Sequence, residues 1–230
     1  FYEIAFVQGQ IAAMREQIDW ARGKPDEYAA LGWQARSAAF SGQLRRSHEF
    51  SSRATDLALG RNLKEVAAEY TSADPLRNAV FGNCQRIKED TAKALSIGRS
   101  NVVLRNGATA LAHCGEAGQA QSLADELAKR YPKDTLINAV RLPVIRAALE
   151  LQRGHPDQAI QFLQAAIPYE AGVGFWPTYL RGNAYLRWQK GAEAAAEFQK
   201  ILDHRGWDPL SPLYPLAHLG LARAALLQGD

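Results

Sequence analysis

The chain has 230 residues, of which 47% are apolar and 22% charged, enough apolar material for a sizeable core and too much for a disordered chain. Its formal charge of +3 is spread over interspersed acids and bases, which excludes the basic runs of nucleic-acid-binding tails, and no apolar stretch reaches the roughly 20 residues of a membrane-spanning helix. Two cysteines, Cys84 and Cys114, are too few for a secreted disulfide framework and make a reducing cytoplasm the default expectation.

Alanine is abundant while Val and Ile are sparse, a composition that favours helix because its side chains lose little rotamer freedom there. The only β-branched cluster, around Val102 and Val103, leads straight into a helical period. Apolar periodicity predicts about thirteen helices, over 1–8, 10–22, 27–41, 43–59, 62–81, 83–96, 100–114, 116–130, 134–153, 156–167, 175–189, 191–204 and 211–228. Gly9, Gly42, Gly82, Gly115, Gly154, Gly191 and Gly229 each follow such a segment, at spacings of 33, 40, 33, 39, 37 and 38 residues. A helix commonly ends on a left-handed residue that Gly adopts cheaply, so these glycines mark turns and their spacing marks a helix-pair repeat.

Prolines punctuate the same pattern. Pro132 and Pro168 close helices, whereas Pro75 and Pro143 fall inside two long ones and predict a kink or a later start. The stretch from Tyr169 to Gly174 is the longest irregular connection and the expected place for a hinge. Phe1-Tyr2-Glu3-Ile4 is neither a signal peptide nor an initiator, and the chain stops at Leu227-Gln228-Gly229-Asp230, a helix end and turn. Both ends therefore read as cut from a longer protein, with 1–230 forming a single repeat domain.

Residues 178 to 209 carry the pattern most clearly. Gly182 and Tyr185 sit at the spacing of a first helix, Ala194 and Phe198 at that of a second, and Pro209 follows. This resembles the tetratricopeptide repeat, with Thr178 and Arg181 in place of its large aromatic residue and Leu. Leu219-Gly220 opens a further unit, and Ala120 with Pro132, or Ala159 with Leu163, marks others. Met14 and Ser47 stand where the earliest units should carry a small residue. The resemblance implies an all-α superhelix of about six antiparallel helix pairs. Segments such as Ala124 to Pro132, Ile145 to Leu151 and Glu197 to Gly206 also resemble the repeat region that follows the kinase domain in bacterial eukaryotic-like serine/threonine kinases. That likeness implies a docking or sensing module, or a regulatory or oligomerisation region, beside a catalytic domain outside this chain.

Tetratricopeptide proteins bind extended peptides along a concave face lined by first helices. Helical phase nominates Trp33, Arg36 and Phe40 for that face, then Arg105, Asn106, Thr109 and His113, and finally Arg141, Trp176, Tyr179, Asn183, Arg187, Tyr214 and His218. The set is basic and aromatic, suited to an acidic or C-terminal peptide, because Arg grips carboxylates bidentately and Trp and Tyr offer large area at little rotamer cost. In the alternative, Trp33, Phe40 and Trp176 pack between units and the Arg side chains are solvated. Asn183 matches one position of the family's chaperone-tail clamp. The rest of that clamp is missing, so binding of that kind is not expected.

Catalytic and metal chemistry find no footing. His113-Cys114 and Cys84 lack zinc-ligand spacing, so the cysteines are expected to pack as small apolar groups, with a disulfide left open. His48, His155, His204 and His218 lie on separate elements with no nucleophile in view. Glu193 and Glu197, one turn apart, read as a solvated face. No cofactor, metal or nucleic acid is expected, while self-association remains open.

Overall fold

The structure, a computed structural model, describes residues 1–229; Asp230, the last residue of the expected terminal turn, lies outside the described residues. Among these the fold is all-α. Its helices are α1 (Tyr2–Val7), α2 (Ile11–Ala21), α3 (Glu27–Phe40), α4 (Leu44–Gly60), α5 (Lys64–Val80), α6 (Ile87–Ile97), α7 (Asn101–His113), α8 (Ala117–Arg130), α9 (Leu142–Arg153), α10 (Pro156–Leu163), the single turn α11 (Glu170–Val173), α12 (Trp176–Arg187), α13 (Gly191–Asp203) and α14 (Leu213–Gln228). Consecutive helices pack as pairs, with α1, α3, α5, α9 and α12 as first members.

Six of the seven register glycines adopt the left-handed conformation, from Gly9 at φ 70° to Gly229 at φ 85°. Gly191 does not. The left-handed residue of that turn is Gln189, at φ 59°, and Gly191 instead opens α13. A Cβ there would stand 2.8 Å from Gln228 Cγ and 2.9 Å from the Ala224 carbonyl, so this glycine is fixed by close helix approach. Asn62, at φ 60°, similarly turns α4 into α5, while the nearby Gly60 is still the last residue of α4.

Pro75 and Pro143 differ, and Pro143 takes one of its two expected outcomes. Pro143 marks a later start: a π-helical turn, Ile137–Arg141, precedes α9 and Pro143 occupies its first turn, where a missing N–H costs nothing. By contrast α5 continues through Pro75. The stretch expected to be a hinge is ordered, as a 3-10 turn (Gln164–Tyr169) running into α11. Glu170, only 2% exposed, anchors it through ion pairs with Arg181 and Lys200. A buried carboxylate held by two cations is a costly thing to expose, which opposes hinging.

The chain divides into two compact units, Phe1–Gly107 with Asp208–Pro212, and Ala108–Trp207 with Leu213 onward. In unit 1 the core is alanine-rich: Ala35, Ala39, Ala54, Ala58, Ala67 and Ala68 are wholly buried, and such small side chains let helix backbones approach closely. Larger side chains fill unit 2, where Leu127, Ile145, Leu163, Leu180, Phe198 and Ile201 are sealed from solvent. At roughly 1.5–3 kcal/mol for each fully buried large apolar side chain, these dominate its cohesion.

Polar ties inside each unit follow the repeat. Arg36 bonds Glu3 across 33 residues, Arg61 the Lys24 carbonyl across 37 and Asn106 Ser72 across 34. In unit 2, Gln152 donates to the His113 carbonyl across 39 residues and Arg187 to the Leu151 carbonyl across 36. The last two reach carbonyls at the C-terminal ends of α7 and α9, where helix carbonyls run out of partners within the helix; that of Leu151 also accepts from the Gly154 N–H.

Candidate interaction site

In unit 1, the nominated residues on α3 are engaged by α1. Trp33 stacks on Tyr2 with ring centroids 5.5 Å apart, and Phe40 meets Phe6 edge-on at 5.0 Å. Arg36 is a clamp: Nη1 lies 2.7 Å from Glu3 Oε1 and Nη2 2.5 Å from Asp208 Oδ1. Burial pushes the Asp208 carboxyl up despite that guanidinium. On α7, Asn106 donates to Ser72 at 3.1 Å, and burial lowers the Arg105 guanidinium while the nearby Glu69 charge opposes the change.

Unit 2 gathers the other nine. Thr109 is buried. His113, at the end of α7, meets Trp176 at the start of α12 edge to face, centroids 5.3 Å apart. The His113 residue is half-buried, yet its Nε2 is sealed and has no hydrogen-bond partner among the described residues. Desolvation brings its pKa down to about 4, with the positive charge of Arg187 adding to the effect. Tyr179, packed edge-on against Phe198 at 6.0 Å, and Asn183, which donates to the Tyr179 carbonyl, belong to the α12 packing face.

The two arginines here bond backbone: Arg141 donates to the Val173 carbonyl at 3.3 Å and Arg187 to that of Leu151. Arg187 is exposed and uses one arm of a five-donor fork for that bond. On α14, Tyr214 and His218 stand edge-on at 5.7 Å, with the Arg205 guanidinium 5.3 Å over the Tyr214 ring. His218 is exposed and Tyr214 half-buried.

Helical phase missed several polar partners. Glu3 and Asp208 complete the Arg36 clamp, and Gln152 caps α7. A signal existed for Glu3, which precedes Arg36 by one repeat length. None existed for Asp208, which lies 172 residues away. The expected solvated pair is also redrawn: Glu197 accepts two bonds from Arg181, at 2.9 and 2.8 Å, while Glu193 faces Lys190 at 3.9 Å. Arg181 sits where the repeat pattern carries Leu, and this ion pairing is what permits a charge at that buried position. Neither cysteine is a free thiol; both are disulfide-bonded, which corrects the expectation of two packed thiols. No group of three metal-ligating side chains converges among the described residues.

Neither a protein-family model nor a curated protein matches the chain. Among solved structures the chain is similar to a tetratricopeptide repeat protein from Parabacteroides merdae, at 17% identity and a TM-score of 0.49, covering 97% of this chain and 92% of that one.

Proposed function

We propose that the chain is a protein-binding scaffold and that the face carried by α12 and α14 in unit 2 docks an extended acidic or C-terminal peptide. The observation that carries this is the set of pre-packed rings on the nominated helices, His113 against Trp176 and Tyr214 against His218, together with the exposed residue Arg187, whose guanidinium spends one Nη1 bond on the Leu151 carbonyl. Rings already held by neighbours lose little freedom on binding, and an Arg beside them selects for carboxylate. The Arg36 clamp supports the charge preference, because a nominated arginine there already holds two of the chain's own carboxylates.

Selection from a random peptide library with free C-termini tests the reading. The expected pool is acidic, and Tyr214→Ala with His218→Ala weakens its binding by about 1–2 kcal/mol, the range of a moderate interface residue. A pool without charge bias, or one indifferent to the double variant, overturns the proposal.

Self-association is a second reading, favoured by the apolar surface of α1 and α2, where Ile4, Ile11 and Trp20 are 59%, 68% and 62% exposed. Exposed apolar clusters mark contact surfaces. Sedimentation of a monomer at every concentration removes this reading. For the setting, the likeness to kinase-tethered repeats supports a place beside a signalling enzyme, which sequencing upstream of Phe1 tests directly. Two disulfide-bonded cysteines favour an oxidising compartment over a reducing cytoplasm.

A further inference from the structure

Unit 1 holds a short piece of chain that is remote from it in sequence. Asp208–Pro212 belong to this unit, whereas the residues on either side, up to Trp207 and from Leu213, belong to unit 2. These residues contain no helix and form a turn of their own. The Ser211 N–H donates to the Asp208 carbonyl at 3.0 Å, and Ser211 also hydrogen-bonds the Asp208 carboxylate. Pro209 stands second in the turn, where its fixed φ is favoured. Leu210 is wholly buried and Ser211 nearly so.

The turn is seated on α3 through charge. Arg36 Nη2 lies 2.5 Å from Asp208 Oδ1 while Nη1 takes Glu3 at 2.7 Å, so one arm of a first-helix arginine serves a carboxylate that arrives from 172 positions away. A planar fork on a carboxylate is the contact expected of an acidic peptide docking from another protein. The Arg36 and Asp208 side chains are 35% and 29% exposed, which leaves the guanidinium within reach of a competing acid. The resident carboxylate is also imperfectly served. Burial is the largest effect on it, the Glu3 charge adds to that, and together they outweigh Arg36 and Ser211, so its charged form is disfavoured in place. A ligand that keeps more of its carboxylate in water escapes part of that penalty.

Because Asp208–Pro212 contain no helix, their departure dismantles none of the helices of unit 1. We propose that the α3 face at Arg36 is a binding site for a short acidic turn, that Asp208–Pro212 is the ligand it holds in the resting chain, and that a partner protein presenting the same chemistry, an aspartate followed by proline and an apolar residue, binds there by displacing it. The resident turn is autoinhibitory: tethered at both ends, it competes at an effective concentration on the order of millimolar. This site belongs to unit 1 and the face on α12 and α14 to unit 2, so the two readings fail independently.

Fluorescence anisotropy of the whole chain with a labelled, end-blocked peptide of residues 206–212 tests this. Asp208→Asn removes the charge of the resident turn and leaves the Arg36 Nη2 arm for the incoming carboxylate. The peptide is therefore expected to bind that variant about tenfold or more tighter than the wild type, relieved of competition from the tethered turn. The same peptide with asparagine in place of its aspartate is expected not to bind, and Arg36→Gln added to Asp208→Asn abolishes binding. No binding to the Asp208→Asn variant, equal binding to the wild type, or indifference to Arg36→Gln overturns the proposal. Hydrogen–deuterium exchange of the wild type gives a second readout that needs no variant: an excess of the peptide is expected to quicken exchange at Leu210 and Ser211 and leave α4 unchanged. Unaltered exchange at those two residues overturns displacement even if Asp208→Asn does not fold.

Discussion

His113 is held neutral by its surroundings. Its ring nitrogen is sealed against Trp176 and under the field of Arg187, and its pKa falls from the ordinary 6.5 to about 4. Below pH 6.5 the unfolded chain takes up a proton that the native state refuses, so unfolding gains with every step down in pH until about 4. The sign is therefore a stability that rises with pH across this window. A depression of this size corresponds to up to about 3 kcal/mol. His48 works in the opposite sense: its hydrogen bond to Asp74 raises its pKa against the effect of burial, so its contribution is full below 6.5 and lost as pH rises through the folded value. The two are separable by a difference measurement. Urea unfolding at pH 7 and pH 4.5 is expected to show a smaller loss of stability on acidification for His113→Phe than for the wild type. Equal losses would mean that the native ring protonates freely.

At the scale of the element, α12, α13 and α14 meet around one ring. A Cβ on Gly182 would lie 2.7 Å from the Phe198 ring, and one on Gly220 would lie 2.6 Å from it. Phe198 is wholly buried, so its ring has nowhere to retreat. Gly182→Ala or Gly220→Ala is expected to cost about 1–3 kcal/mol through overpacking. Gly118, near the start of α8, has open space at its Cβ position, and Gly118→Ala should instead stabilise by up to about 1 kcal/mol through helix propensity alone. Thermal unfolding of the three variants checks the contrast, which fails if all shift the same way. These elements were largely legible in advance. Apolar period and left-handed glycines set nearly every helix within a few residues, because both act locally. What escaped was non-local. Gln189 and Asn62 turn left-handed because the packed helices on either side demand it, and Glu170 orders its segment through Arg181 and Lys200, residues with no sequence signal linking them to it.

Across the molecule, the helix-pair repeat was readable because it rests on packing positions that recur in sequence. The binding face was less so. Helical phase identified side chains on the right helices, yet could not tell which of them a residue one repeat away already holds, as Tyr2 holds Trp33, Phe6 holds Phe40 and the Leu151 carbonyl holds Arg187. Most of these ties reach about one repeat along the chain. The bond from Arg36 to Asp208 is of another kind, since it closes a span of 172 residues within unit 1. Bringing ends so far apart together carries an entropic cost that only prior assembly of the intervening chain can offset. The clamp therefore belongs to the end of the folding reaction and is absent from its transition state. Asp208→Asn is accordingly expected to leave the refolding rate unchanged and to speed unfolding, the signature of a late contact, and stopped-flow rates in urea would expose a slower refolding if the clamp formed early. In that sense Arg36 is a latch: it does not direct how the chain folds, but it sets how long the folded state lasts.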